Sequence, residues 1–260
     1  MHIYRWDLDR TYLETDIHSV GGLVRAALEH ASSKRTVPGA GALVRGLLAT
    51  EPSAKLVILS GSPLQMRAVL EEKLALDGVR VDRLILKDNL GNLRKGRLRD
   101  VRGQIGYKLP HLLEERIGVD ATISETLFGD DSETDAVIYT VYAEILAGRM
   151  GEDELRAVLQ HSRAYPDAIE RALATLPGIQ RGGIVEDVFI RIDRGMPVDL
   201  FRLLGDRVRP VFSWFQAALV LHQRGRLSLQ GLIEVLLACG LLDRPSSLAG
   251  LSQDAIRRRL

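Results

Sequence analysis

The stretch KLVILSGSP, Lys55 to Pro63, decides the fold class. Four apolar residues, Leu56 to Leu59, run into Ser60-Gly61-Ser62-Pro63, the pattern of a buried strand that stops at turn residues. The next segment, PLQMRAVLEEKLALDG, has helical spacing and closes on Gly78. Upstream, HIYRWDLD mixes aromatic and β-branched residues and ends in acids, which predicts a short buried strand leading into a site. Downstream, VDRLILKDN predicts a third strand with Lys87 and Asp88 at its end, and TLF within ATISETLFGDDSETD a fourth. Helices are expected at 20–28, at 40–48 with Pro38 at the start, from GYKLPHLLEERIG with Pro110 in the first turn, and over AVIYTVYAEILAGRM. Strand and helix alternating in this way predict an α/β fold with a parallel sheet. Ligands of such sheets gather beyond the carboxyl ends of the strands.

After Gly151 the texture becomes mostly helical, apart from VFIRI, which predicts a boundary: an α/β unit over 1–150 and a helical domain over 151–260. The chain has 260 residues, 46% hydrophobic and 27% charged, which suits a soluble globular protein with a real core. A net charge of +1 points to neither nucleic acid nor an anionic membrane as a bulk electrostatic partner. A single cysteine, Cys239, excludes internal disulfides and reads as a buried helix residue. No signal peptide is visible, and HQRGR splits the longest apolar region into pieces too short for a bilayer, so the expectation is cytoplasmic. The six histidines show no metal-ligand spacing. Trp214 and Phe215 read as core residues at their spacing, with membrane contact as the other reading.

Asp7 and Asp9 stand one residue apart after the first strand. Two neighbouring carboxylates remain ionised only when a cation or strong donors compensate, and a magnesium ion takes such oxygen ligands. One aspartate can then attack phosphorus while the other moves protons. The pair alone reads better as loop acids in a capping role. SGSP offers hydroxyl and N–H donors to a phosphate, and also fits a turn with Ser62 as N-cap and Pro63 at N1. Lys108 is expected to open a helix, where its charge and the macrodipole would combine into an anion site, or else to be solvated. GDDSETD places four acids within six residues after a strand, which demands solvent or metal; helix-start acids account for part of it. The basic stretch from Leu86 to Lys108 reads as a solvated loop or as the lining of an open site.

In this order the elements DLDRT, ILSGS, GYK and GDDSETD resemble the haloacid-dehalogenase-like (HAD) phosphatase superfamily. KRTVPGAGALVRGLL, VILSGSPLQMRAVLEEKL, LILKDN, GYKLPHL and LFGDDSETDAVIY narrow the resemblance to the actin-patch-type, lipin-related phosphatidate phosphatase catalytic domain, over roughly residues 1–150. The resemblance implies a three-layer HAD-like Rossmannoid sheet with minimal or no cap. It implies a Mg²⁺-dependent phosphomonoester hydrolase that works through an aspartyl-phosphate. Asp7 would be the nucleophile and Asp9 the general acid and base. Ser60 and Gly61 would hold the phosphoryl oxygens, and Lys108 would neutralise them. Asp130, with Asp131 or Asp135, would hold Mg²⁺ together with Asp7 and the backbone carbonyl of Asp9. Spacing leaves Asp131 and Asp135 open. Two positions depart from the pattern. Arg10 stands where a small or acidic residue is usual and would either add an anion contact to the substrate or point to solvent, and Leu64 stands where an aromatic is usual. The implied partner is a phosphomonoester, a phosphatidate-like lipid at a membrane surface first among them, with the protein then peripheral to the membrane. Other readings are a phosphatase for a soluble metabolite or polynucleotide end, and a non-catalytic module whose helical tail recruits a partner.

Overall fold

The computed structural model describes residues 1–14, 31–87, 101–132 and 134–260. The helix expected at 20–28 and most of the basic stretch after Lys87 lie outside the described residues.

The first strand, β1 (His2–Trp6), is followed by helix α1 (Ala40–Thr50), β2 (Lys55–Pro63), α2 (Arg67–Leu76), β3 (Arg83–Lys87), α3 (Val101–Glu114), β4 (Ser124–Asp130) and α4 (Asp135–Leu146). Then come α5 (Glu152–His161), α6 (Pro166–Thr175), β5 (Val185–Arg191), β6 (Val208–Val211), α7 (Trp214–Gln223), α8 (Leu229–Ala238) and α9 (Pro245–Arg258). The six strands form one sheet in the order β3-β2-β1-β4-β5-β6, and every pairing is parallel. The chain is therefore an α/β protein of the Rossmann-like type. The connections run outward from β1 in both directions, so the topological switch point lies between β1 and β4.

Alternation along the strands feeds two cores. Tyr4, Trp6, Phe128 and Phe189 point to one face, against α1, α7 and α8. Trp6 stacks on Phe128 with centroids 4.1 Å apart and meets Trp214 at 5.1 Å. Trp214 and Phe215 are thus core residues. Leu59, Leu127, Val188 and Ile190 point to the other face, against α3, α4, α5 and α6. Arg5 also points there and is fully buried. Its Nε donates to Glu125 Oε2 at 2.5 Å, and Arg116 Nη1 and Tyr142 Oη donate to the same carboxylate at 2.9 and 2.8 Å. Burial alone would raise the Glu125 carboxyl; the Arg5 guanidinium, aided by Arg116 and Tyr142, outweighs it and holds the group below the usual range. At the start of β1, the His2 ring lies 2.9 Å from both Ser124 Oγ and Thr126 Oγ1. Burial first, then the nearby charge of Arg226, lowers its pKa to about 4.

Three expectations change. The boundary at 150 does not coincide with any break in the sheet, because β5 and β6 extend it beyond β4. VRPV was hard to see as a strand because Pro210 cannot donate to a ladder; at the sheet edge that loss is tolerated. Lys108 and Pro110 do not open a helix: α3 begins at Val101, so Lys108 sits in its interior and the macrodipole argument for an anion site fails. Pro110 removes one helical hydrogen bond there. Ser62 is not an N-cap; β2 continues through Pro63, and a 3-10 turn at Leu64–Met66 precedes α2.

Candidate metal centre and active site

The site grows from the carboxyl ends of β1, β2 and β4. Asp7 continues the β1 ladder, its N–H donating to Phe128 O at 2.9 Å, which fixes the carboxylate beside the end of β4. Asp130 is the last residue of β4, and Asp135 is the first of α4. All three are buried, with ligand oxygens within 4.8 Å of one another. Gly129 makes this approach possible. A Cβ there would lie 2.6 Å from Asp135 Oδ2 and 2.9 Å from Tyr139 Cε2, so any side chain would displace the carboxylate.

Lys108, fully buried in α3, reaches Asp7 Oδ1 at 2.7 Å and Asp135 Oδ1 at 2.6 Å. It supplies one positive charge to a cluster of three carboxylates. The hydroxyl of Thr11 lies 3.1 Å from Asp7 Oδ2 and 3.2 Å from Asp130 Oδ2, so one proton serves two acids. Asp130 Oδ1 accepts the Ser132 N–H at 2.5 Å. Tyr139, whose hydroxyl donates to Phe128 O, is held well above its usual pKa by burial and then by the charge of Asp135, so it stays neutral beside the acids.

Asp9 faces the end of β2. Its Oδ2 accepts the hydroxyls of Ser60 and Ser62, each at 3.0 Å. Ser60 Oγ also accepts the Ser62 N–H at 2.9 Å, and Tyr107 Oη donates to Ser60 O at 3.0 Å. Asp9 Oδ1 is buried and makes no hydrogen bond among the described residues. Gly61 sits between the two serines, partly exposed. Leu64 is exposed just beyond them.

Of the two acids Asp131 and Asp135, the structure places Asp135 beside Asp7 and Asp130. Asp131 is not part of the cluster. Its Oδ1 accepts the N–H groups of Asp193 and Arg194 at 2.7 and 2.8 Å, and its Oδ2 accepts that of Met196 at 2.9 Å. The carboxylate is used as an anchor for the loop after β5. Arg10 lies at the same rim with a left-handed backbone, φ 63°. Its Nη1 donates to Asp193 Oδ2 at 2.7 Å.

Of the residues expected from sequence, Asp7, Lys108, Asp130 and Asp135 come together, with Asp9 and Ser60 paired on the β2 side and Arg10 on the β5 side. Thr11, Tyr107, Arg191 and Asp193 were not singled out, and Ser62 was read as a helix cap rather than as a partner of Asp9. A threonine four residues after the first acid was visible in DLDRT, but its bridging of two strand ends depends on the sheet order. Arg191 and Asp193 carried no signal, since they lie in the segment read as a separate domain.

No family model, no curated protein and no solved structure matches the chain. The functional reading therefore rests on the geometry and on the motif resemblance.

The donor set suits a hard divalent cation. Three carboxylates offer only oxygen, and their ligand atoms lie close enough together to hold a metal ion. A divalent ion among them would, with Lys108, balance the three negative charges. A cavity of about 710 Å³ lies elsewhere, at the β3 edge, lined by residues such as Arg67, Leu84 and His111 and by none of the site residues.

Proposed function

We propose that the protein is a Mg²⁺-dependent phosphomonoester hydrolase of HAD type, working through an aspartyl-phosphate on Asp7. The observation that carries this reading is the buried set Asp7, Asp130 and Asp135, bridged by Lys108 at the switch point of a parallel sheet. Asp7, Asp130 and Asp135 would hold the ion, which when bound supplies charge neutralisation between carboxylates and phosphoryl oxygens.

A carboxylate oxygen of Asp7 attacks phosphorus and the ester oxygen departs. Asp9, on the facing loop and in its acid form, gives that oxygen its proton, so that the alcohol leaves and Asp9 becomes a carboxylate. Its unpaired Oδ1 is the atom available for this transfer, since Oδ2 is held by two serines. In the second half, the Asp9 carboxylate takes a proton from water, and the hydroxide equivalent attacks the phosphorus of the acyl phosphate. Inorganic phosphate leaves and Asp7 is regenerated. Lys108 neutralises Asp7 and the incoming phosphoryl group. Thr11 keeps Asp7 and Asp130 together, and Ser60 and Gly61 border the phosphoryl position from the β2 side.

The leaving group is taken from the resemblance: a phosphatidate-like lipid is the first class to test. Among the described residues no helix is long and apolar enough to cross a membrane, so such a lipid would be met at a surface. The test is phosphate release from a panel of phospholipid vesicles, nucleotides and sugar phosphates with and without Mg²⁺, with Asp7→Asn as the control. Mg²⁺-stimulated release that disappears in Asp7→Asn is expected. Full activity in Asp7→Asn would overturn the assignment of the nucleophile.

A further inference from the structure

Ser60 and Ser62 both point at one oxygen of one acid. Each hydroxyl donates to Asp9 Oδ2 at 3.0 Å, and Ser60 Oγ in turn accepts the Ser62 N–H at 2.9 Å. A serine hydroxyl has a single proton to donate, so Ser60 has given its own to Asp9. Both serines are closed off from solvent, Ser60 with 0% of its surface exposed and Ser62 with 2%, while Asp9 is partly exposed.

The end of β2 is shaped for this contact. Its register against β3 slips between Ser60, opposite Leu86, and Pro63, opposite Lys87, so β2 takes three steps where β3 takes one. Such irregularities re-aim side chains beside sites, and here the slip leaves both hydroxyls on the Asp9 side. The Ser62 N–H turns back onto Ser60 Oγ, and Tyr107 Oη, from α3, holds the Ser60 carbonyl at 3.0 Å. Protein groups alone fix the pair.

This use of Ser60 departs from what the motif resemblance implies. A residue that holds a phosphoryl oxygen must present a donor to it, and the Ser60 proton is already spent on a carboxylate. The pair instead distinguishes the two oxygens of Asp9. Oδ2, with two donors on it, stays an acceptor. Oδ1 is buried, meets no hydrogen-bond partner among the described residues, and is the atom left for a proton in transit. We infer that Ser60 and Ser62 are positioning residues for Asp9, a two-hydroxyl tether that fixes the side chain and reserves Oδ1 for the ester oxygen, and that neither serine binds the phosphoryl group. This rests on the phosphatase reading and assigns the work of its acid: as the P–O bond breaks, Oδ1–H passes its proton to the departing oxygen and the alcohol leaves. The tether matters most for a basic leaving oxygen, as in an alkyl phosphate, and least for an aryl phosphate whose phenolate leaves without a proton.

The experiment compares propyl phosphate with 4-nitrophenyl phosphate in kcat/KM with Mg²⁺, and measures inorganic phosphate as an inhibitor. General acid catalysis contributes about 10²–10⁴-fold, so Ser60→Ala and Ser62→Ala should each lower the propyl-to-nitrophenyl ratio by about tenfold or more. Ser62→Thr, which keeps the hydroxyl, should recover most of that ratio. The inhibition constant of phosphate should stay within about twofold of the wild type in both alanine variants. An equal loss for both esters with weakened phosphate inhibition in Ser60→Ala would overturn the tether and put Ser60 on the phosphoryl group. An unchanged ratio in both alanine variants would overturn it as well, and either result leaves the phosphatase reading standing. A second measurement needs no turnover: urea unfolding of Asp9→Ala, Ser62→Ala and the double variant. Groups in contact are not additive, so the double variant should lose less than the two single losses together. Additive losses would overturn the tether. Non-additive losses in a protein that turns over no ester with Mg²⁺ would keep the tether and overturn the phosphatase reading.

Discussion

Lys108 Nζ lies 2.7 Å from Asp7 Oδ1, and both side chains are buried. The pair couples α3 to the end of β1, and the same ammonium holds Asp135. Replacing Lys108 by methionine keeps its length and removes its charge. Removing one partner of a buried ion pair costs about 3–5 kcal/mol. Lys108→Met should lower stability by that amount in urea unfolding and reduce phosphate release by about 10²–10³-fold. Stability and activity both unchanged would show that Lys108 is incidental.

Gly129 should tolerate no side chain. In Gly129→Ala the new Cβ would press on Asp135 and Tyr139, an overpacking cost of about 1–3 kcal/mol. Because Asp135 is what moves, Mg²⁺ affinity should fall along with stability. Calorimetric titration with Mg²⁺ checks this, and an alanine variant with native affinity would contradict the close packing.

Mg²⁺ binding to the folded state alone stabilises it by about 2.7 kcal/mol at a hundredfold excess over Kd. Thermal unfolding of the wild type should therefore rise with Mg²⁺ and fall back with a chelator. Asp135→Asn should lose this response. Asp131→Asn should keep it, because Asp131 binds backbone N–H groups of the 193–196 loop. That variant should instead lose basal stability, since an amide nitrogen in place of one oxygen cannot accept the Met196 N–H or, in place of the other, those of Asp193 and Arg194. The reverse pattern in the two variants would exchange their roles.

His2 gives a pH dependence away from the site. Its pKa is lowered to about 4, so the folded state prefers the neutral ring, while the unfolded chain protonates near 6.5. Between those values the unfolded state binds more protons, and stability falls as pH falls. The full loss across that window is about 3 kcal/mol. The midpoint of urea unfolding should drop between pH 7 and pH 4, and His2→Gln should flatten that part of the curve. An unchanged slope would mean that other groups set it.

Much of the α/β frame could be read from sequence because β1 to β4 are apolar runs ending in turn residues. The parts that escaped were those decided by distant partners. VRPV is too short, and with Pro210 too poor in N–H donors, to announce β6, and it forms a strand only because β5 lies beside it. VRGQIG carries two glycines and reads as a loop, yet Ile105 is buried and the helix starts ahead of it. In the site, acids at strand ends were visible as a local pattern. The division of labour between Asp131 and Asp135 was not, because it depends on N–H groups sixty-odd residues later. Thr11 was in view as part of DLDRT, but its bridging role needs β1 and β4 side by side.

The placement of β5 has a consequence for recombination. A crossover between Leu146 and Val185 would leave β4 as a bare sheet edge, with its apolar neighbours exposed and its ladder open to pairing with other chains. It would also strip Asp131 of its loop and Arg10 of Asp193, while leaving every residue of the acid cluster in the retained half. The shortest exchangeable unit of this architecture thus runs through β6, and a shuffled chain that kept all the acids could still inherit an altered rim.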